Sequence, residues 1–352
     1  MSSISKPAVA HPSARTNALG LKLRDYEGGM STLCAGCGHD SVTAALIQAA
    51  WELAIPPEKA AKMSGIGCSA KTTAYFMKQS HGFNSVHGRM PSVATGAAVA
   101  NRQLVCIGVS GDGDSLSIGL GQLCHAIRRN INMLYVLDNN GVYGLTKGQF
   151  SASADVGSKS KKGEANVQAP IDPVLLALSL GATFVARSFS GDKRQLVPIL
   201  KAGITHRGLA LVDVISPCVT FNDHDGSTKS YAYTRTHERE AVAADFVPLR
   251  HEITVTPGDA RVIDVPMHDG THVRLRPTTD GYDPTDRASA YAHVRACQAR
   301  GEIATGLLFM DEESGKELCD GLALPAEPLY GVPYETLCPG RETLERLMER
   351  YR

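Results

Sequence analysis

The chain has no surplus charge of either sign: 36 lysines and arginines are balanced by 36 aspartates and glutamates. That balance gives no support for nucleic acid or an anionic membrane surface as the main partner. No apolar run approaches the ~20 residues of a membrane-spanning helix. A signal-peptide apolar core is missing too. Acidic residues are absent from the first 24 positions, which include Lys6, Arg15, Lys22 and Arg24. That composition faintly resembles an organelle transit peptide, and the simpler reading is a disordered or docking arm over residues 1–28. Without a secretory signal, the nine cysteines are expected as reduced thiols or metal ligands, and the chain is expected in the cytoplasm.

What is present is a globular composition, 43% hydrophobic and 20% charged, in a chain long enough for one large α/β domain with an appendage. Helical periodicity covers residues 40–54, with Asp40 or Ser41 as N-cap and Pro56 and Pro57 closing the segment. A strand near 62–66, a helix near 70–79 and a small-residue helix at 91–101 follow. The apolar run 104–109 reads as a buried parallel strand, then come a helix at 116–129 and a strand at 133–137. Residues 173–180, 183–186, 193–205 and 209–215 continue the alternation. This pattern predicts an α/β fold with a doubly wound, mainly parallel sheet over residues 29–230. Residues 151–169 are polar and read as a long loop. Residues 231–352 form a C-terminal extension with hairpin-like stretches in 250–278, helices at 286–300 and 342–352, and a strand at 303–310. It is expected to pack on the main domain or on a partner.

Two constellations carry chemistry. Gly111-Asp112-Gly113-Asp114 follows the strand at 104–109, and Asn139-Asn140 ends the strand at 133–137. Both lie at carboxyl ends of strands, where open α/β sheets bind ligands. Glycines let the backbone approach a diphosphate, and the helix beyond offers its positive end. Asp112 and Asn140 supply hard oxygens suited to Mg²⁺ on phosphate. The second constellation is Cys34-Ala35-Gly36-Cys37-Gly38-His39. Alone it is compatible with a redox pair, half a zinc site or part of an iron–sulfur site. Cys68, in Gly65-Ile66-Gly67-Cys68-Ser69, and Cys218, in Ser216-Pro217-Cys218, fall at the same expected sheet edge, and four thiolates select zinc or an iron–sulfur cluster. Cys106 and Cys124 read as core residues, and Cys297, Cys319 and Cys338 have no assigned role.

The Gly-Asp-Gly and Asn-Asn pair resembles the signature of thiamine-diphosphate enzymes. That resemblance maps the metal ligands onto Asp112, Asn140 and the carbonyl of Val142. The succession Cys34 to His39, Gly65 to Ser69, His87-Gly88-Arg89, Gly111 to Asp114, Asp138-Asn139-Asn140 and Tyr143-Gly144-Leu145-Thr146-Lys147-Gly148-Gln149 is similar to the β subunit of 2-oxoacid:ferredoxin oxidoreductases over roughly residues 30–220. The tail segments 282–287 and 305–308 resemble the same subunit. The resemblance, nearest to the 2-oxoglutarate type, implies Cys34, Cys37, Cys68 and Cys218 as [4Fe–4S] ligands. It implies that Ile66, Gly67, Cys68, Ser69, His87, Gly113, Asp114, Gly144 and Leu145 contact thiamine diphosphate.

Lys71 and Lys147 follow two of these loops and either face the substrate carboxylate or lie solvated. His87 and Arg89 either act at the site or cap a helix. The family often has a proline where this chain has Ser151-Ala152-Ser153, which bears on the loop conformation. The implied activity is oxidative decarboxylation of a 2-oxoacid to acyl-coenzyme A and CO₂, with electrons passing through the cluster to ferredoxin. A glutamate facing the aminopyrimidine must come from elsewhere, so an α subunit is the expected partner, in an αβ or α2β2 assembly. The C-x2-C-x2-C-x3-C-P run is absent, so electrons leave by a separate carrier. A non-redox thiamine-diphosphate decarboxylase or carboligase, which leaves four cysteines without a use, and a zinc-stabilised nucleotide-binding module are the rival readings.

Overall fold

The computed structural model describes residues 14–160, 163–247, 263–266, 272–277, 282–311, 314 and 316–351. Ten strands form one sheet and two more form a small hairpin. In chain order the elements are α1 (Gly38–Glu52), β1 (Ala60–Ser64), β2 (His81–Asn84), α2 (Met90–Ala100), β3 (Val105–Gly111), α3 (Leu120–Arg129), β4 (Met133–Asn139), β5 (Val142–Tyr143) and β6 (Gln149–Phe150). They continue with α4 (Pro173–Ser179), β7 (Phe184–Phe189), α5 (Lys193–Thr205), β8 (Leu209–Ile215), α6 (Tyr231–His237), β9 (Glu238–Val247), β10 (Ile263–Pro266), β11 (His272–Pro277), α7 (Arg287–Ala299) and β12 (Ile303–Met310). The sheet order is β10-β11-β9-β12-β7-β8-β4-β3-β1-β2.

From β2 to β7 all neighbours are parallel. Every residue of β4 and β8 is buried, so both faces of the sheet are covered, as parallel sheets require. The helices pack in pairs over it, α1 with α5, α2 with α3 and α4 with α7. The α/β, mainly parallel reading therefore holds. Beyond β7 the sheet turns mixed: β12 runs antiparallel to β7 and parallel to β9, and the β10–β11 hairpin closes that end. Residues after 230 thus extend the main sheet. Much of the stretch at 250–278, and residues 1–13 of the arm, lie outside the described residues. The rest of the arm lies on α1, where Tyr26 is fully buried and donates to the Ile55 carbonyl at 2.7 Å.

Three expected helices differ. The first begins at Gly38, with Cys37 and not Asp40 or Ser41 as its N-cap, because the Pro217 carbonyl accepts the Gly38 N–H at 3.2 Å. The expected helix at 70–79 is only a 3-10 turn, Ser69–Ala74. There the Thr72 and Thr73 hydroxyls donate back to the Ser69 and Ala70 carbonyls, and buried Lys62 draws the Phe76 and Met77 carbonyls into hydrogen bonds. The expected helix at 116–129 is a π-helical turn, Gly113–Ile118, followed by α3 after Gly119. Gly119 is pressed against Gly88, where a Cβ would meet the Gly88 carbonyl oxygen at 2.8 Å.

Candidate functional site

The chain places β2 on one side of β1 and β3 on the other, so the strand order reverses at the β1/β3 boundary. In open α/β sheets a crevice opens at the carboxyl edge there. The loops after β1, β2, β3 and β4 meet at that edge and line one cavity, from Ile66 to Ser69 on one wall and from Asn140 to Thr146 on the other. Only about 60 Å³ of it is enclosed. Ile66 and Leu145 remain 38% and 43% exposed at its rim.

Asp114 ties the loops together. Its buried Oδ1 accepts from the Ile66 N–H at 3.1 Å, the Gly88 N–H at 2.7 Å and His87 Nδ1 at 2.5 Å. Its Oδ2 accepts from the Ser110 hydroxyl at 2.6 Å. Both oxygens are used inside the protein, so this side chain orders the loops around a ligand. The close approach explains Gly65, where a Cβ would lie 1.9 Å from Asp114 Oδ2. His87, with Nδ1 engaged, lines the cavity, and its ring meets Tyr143 edge-on at 5.9 Å.

Asp112 and Asn140 face each other across the ends of β3 and β4. Asp112 Oδ2 accepts from the Gly141 N–H at 2.8 Å and from the Ser151 and Ser153 hydroxyls, each at 2.5 Å. Burial raises its carboxyl above the usual range, and these donors together with Lys229 oppose the rise. Asn140 Oδ1 accepts from the Val142 N–H at 3.0 Å, so its amide NH₂ faces His39 Nε2 at 3.4 Å. That contact makes Nε2 an acceptor and puts the His39 proton on Nδ1, 2.6 Å from the Ser216 hydroxyl. Burial holds His39 neutral, with its pKa lowered to about 4. Asp138 beside it is fully buried with neither oxygen hydrogen-bonded, Oδ2 lying 3.5 Å from His39 Nδ1, and burial, then the nearby Asp112 charge, raises its carboxyl well above the usual value.

The four cysteines of the sequence reading gather near Gly144, and Cys68 among them lines the cavity itself. A Cβ on Gly144 would lie 3.5 Å from Cys68 Sγ and 3.6 Å from Cys218 Sγ. Thr220 donates its hydroxyl to Cys34 Sγ at 3.5 Å. The Cys37 thiol is pushed up to about 12, first by burial and then, after a lowering backbone hydrogen bond from His39, by Asp138, Cys218 and Cys68. Cys68 is also raised by burial, against the pull of the Lys71 cation. Among the described residues no three His, Cys, Asp or Glu side chains are close enough to share one metal ion.

Lys71 is half-buried beside Cys68, and Lys147 is exposed on the loop over the cavity. Lys147 holds φ at +85°, a conformation that L residues rarely adopt, fixed by its N–H donating to the Gly144 carbonyl at 3.1 Å. Arg89 is exposed and is the N-cap of α2, so the His-Gly-Arg segment leads directly into that helix. Ala152, in place of the family's proline, donates its N–H to the Ser117 hydroxyl at 3.0 Å, a bond proline cannot make. Sequence reasoning missed Ser151, Ser153 and the contact of His39 with Asn140. Both serines stand in the polar stretch 151–169, whose sequence carries no sign of their burial.

Residues 65–214 match the family model described as thiamine pyrophosphate enzyme, C-terminal TPP binding domain. A 2-oxoacid:ferredoxin oxidoreductase β subunit from Saccharolobus solfataricus is 42% identical over 206 residues, 58% of this chain and 67% of that one. The 2-oxoglutarate oxidoreductase subunit KorB of Mycobacterium tuberculosis is 44% identical over 191 residues, 54% of this chain and 51% of that one. The 2-oxoglutarate synthase subunit KorB of Methanocaldococcus jannaschii is 35% identical over 189 residues, 53% of this chain and 69% of its own. The chain thus spans between half and about two thirds of the curated relatives it matches. A solved 2-oxoglutarate:ferredoxin oxidoreductase from Magnetococcus marinus, with 2-oxoglutarate, coenzyme A and succinyl-CoA bound, superposes with TM-score 0.70 at 30% identity, covering 86% of this chain and 89% of that one. Sequence identity through the strand-end loops and a shared fold over most of both chains agree, and the chain belongs to the β-subunit family of the 2-oxoacid:ferredoxin oxidoreductases.

Proposed function

We propose that this chain binds thiamine diphosphate through a Mg²⁺ held by Asp112, Asn140 and the Val142 carbonyl, and carries a [4Fe–4S] cluster on Cys34, Cys37, Cys68 and Cys218. With an α subunit it catalyses oxidative decarboxylation of a 2-oxoacid, 2-oxoglutarate first, to acyl-coenzyme A and CO₂, and ferredoxin takes the electrons. The observation that carries this reading is that Cys68 lines the cavity beside Asp112 and Gly144, and that a Cβ on Gly144 would lie 3.5 Å from Cys68 Sγ and 3.6 Å from Cys218 Sγ. Thiol and cofactor sites adjoin at these residues. That closeness suits one-electron steps between a cofactor and a cluster.

Thiamine diphosphate, when bound, supplies the carbanion chemistry that releases CO₂ from a 2-oxoacid. The protein's share is placement. Asp112 and Asn140 would offer hard oxygens to the cation, and the π-helical turn that starts at Gly113 would offer its first backbone N–H groups to the diphosphate. Ile66, Gly67, Ser69, Asp114, His87 and Leu145 shape the cavity around the ring system. Lys71 and Lys147 stand on the two facing loops, and 2-oxoglutarate has two carboxylates for two cations. The relatives named for 2-oxoglutarate support that substrate over pyruvate. The test is anaerobic co-expression with an α subunit, followed by a 2-oxoacid panel with viologen reduction and analysis for iron, zinc and thiamine diphosphate. Brown protein with absorbance near 400 nm and 2-oxoglutarate-dependent dye reduction is expected. Zinc without iron, or decarboxylation without dye reduction, would overturn the redox reading.

A further inference from the structure

Within the proposed cation site Asp112 is the one carboxylate, and its hydrogen bonds are uneven. All three fall on Oδ2, from Gly141 N–H and from the hydroxyls of Ser151 and Ser153. Among the described residues none falls on Oδ1. A carboxylate pinned by three donors at one oxygen presents the other oxygen in a fixed direction. Polar contact then continues inward. Ser153 Oγ lies 2.8 Å from Asn139 Oδ1, Asn139 Nδ2 donates to Asp213 Oδ1 at 3.0 Å, and Arg187 Nε donates to Asp213 Oδ2 at 2.6 Å. Arg187 reaches Asp172 at 2.7 Å with another nitrogen. Asp213, Ser153, Asn139 and Arg187 are all buried.

The orientation along this chain is not free. Asp213 is a full acceptor, so the Asn139 amide must turn its NH₂ there and its oxygen toward Ser153. Ser153 has one proton and three acceptors within reach, Asp112 Oδ2 at 2.5 Å, Asn139 Oδ1 at 2.8 Å and Ser151 Oγ at 3.2 Å. The nearest and charged one is Asp112, so the proton goes there, while Asn139 fills the space into which the hydroxyl would otherwise swing. A cavity of about 510 Å³ lies behind Asn139, Ser153, Arg187 and Asp213, so these residues also form the wall between it and the metal ligand.

We propose that Ser151 and Ser153 are positioning residues that hold Asp112 with Oδ1 turned to the metal, and that Arg187, Asp213 and Asn139 hold Ser153 in place. This rests on the reading of Asp112 as a Mg²⁺ ligand. Groups that orient a metal ligand from behind commonly matter ten- to a hundredfold in metal affinity, roughly the range expected here.

The complex co-expressed with its α subunit is freed of divalent metal on a chelating resin and titrated with Mn²⁺ at saturating thiamine diphosphate, with free Mn²⁺ counted by EPR. Ser153→Ala should weaken binding about tenfold, and the Ser151→Ala/Ser153→Ala double variant up to about a hundredfold. Asn139→Ala should fall between wild type and Ser153→Ala. Ser153→Thr, which keeps the hydroxyl, should bind as wild type does, and visible absorption of the cluster should not change in any variant. Wild-type Mn²⁺ affinity in Ser153→Ala overturns the proposal even if the double variant fails to fold. Loss in Ser153→Ala with none in Asn139→Ala removes the inner chain from it. A wild-type complex that binds neither Mn²⁺ nor thiamine diphosphate sinks the underlying reading instead.

Discussion

Asp112 and Asn140 sit at the ends of neighbouring strands, paired so that Gly111 lies opposite Asp138. Two side-chain oxygens from separate segments, the proposed metal ligands, are thereby fixed by the sheet itself. Asp112→Ala and Asn140→Ala are each expected to abolish retention of thiamine diphosphate in Mg²⁺, measured as cofactor content after desalting, because an under-coordinated cation no longer neutralises the diphosphate. Unchanged content in both variants would remove the assignment. Cys218 approaches from the far side, 150 residues after Cys68, and reaches the same glycine. Cys218→Ser should leave cofactor binding intact while iron and sulfide content falls and the EPR signal of a reduced four-iron cluster disappears. A full cluster in that variant would exclude Cys218 as a ligand. At this scale the placement of Asp112, Asn140 and Cys218 was legible, because each follows an apolar run whose end marks the sheet edge. Ser151 and Ser153 were not, since hydroxyls in a polar stretch look solvated. Their burial depends on the β5–β6 hairpin, which returns the chain beneath Asp112.

Among the elements, β8 and α5 fell where the periodicity put them, since each is a continuous run with no competitor for its backbone. The segment after Cys68 did not, and the reason is long-range. Lys62, inside β1, is 6% exposed, and its ammonium donates to Phe76 and Met77 carbonyls that a longer helix would have used differently. No local pattern shows a lysine reaching 15 residues ahead. Burial lowers the Lys62 pKa to about 8. In an unfolded chain the group titrates near ~10.4. Between those values the unfolded state binds a proton that the folded state lacks, so this group's contribution to stability rises as pH climbs through that window and is constant below pH 8. Lys62→Met should be less stable at pH 7 by about 1–3 kcal/mol, because two buried carbonyls lose their donor. The gap in melting temperature between wild type and variant should widen from pH 8 toward pH 10. Thermal melts of both proteins across that range check it, and parallel profiles would show that Lys62 titrates normally.

For the molecule as a whole, the cavity has a volume of about 60 Å³, and Ile66 and Leu145 at its rim are exposed, as the proposed α subunit would require. The purified chain alone is expected to show no 2-oxoacid decarboxylation or dye reduction, and to gain both on addition of an α subunit. Robust turnover without it would contradict the division of labour. The parallel half of the sheet was readable from alternation. The joining of residues after 230 to that sheet was not, because a strand's sequence does not say which edge it will choose. That choice sets an order in time. All four thiols and both oxygen ligands have been synthesised by Cys218, yet β7 keeps one bare edge until β12 arrives. At ribosomal rates of ~5–20 residues per second, the 95 residues from Ile215 to Met310 take roughly 5–20 s. During that interval the nascent chain presents the unpaired edge Phe184–Phe189, which the finished protein buries under β12.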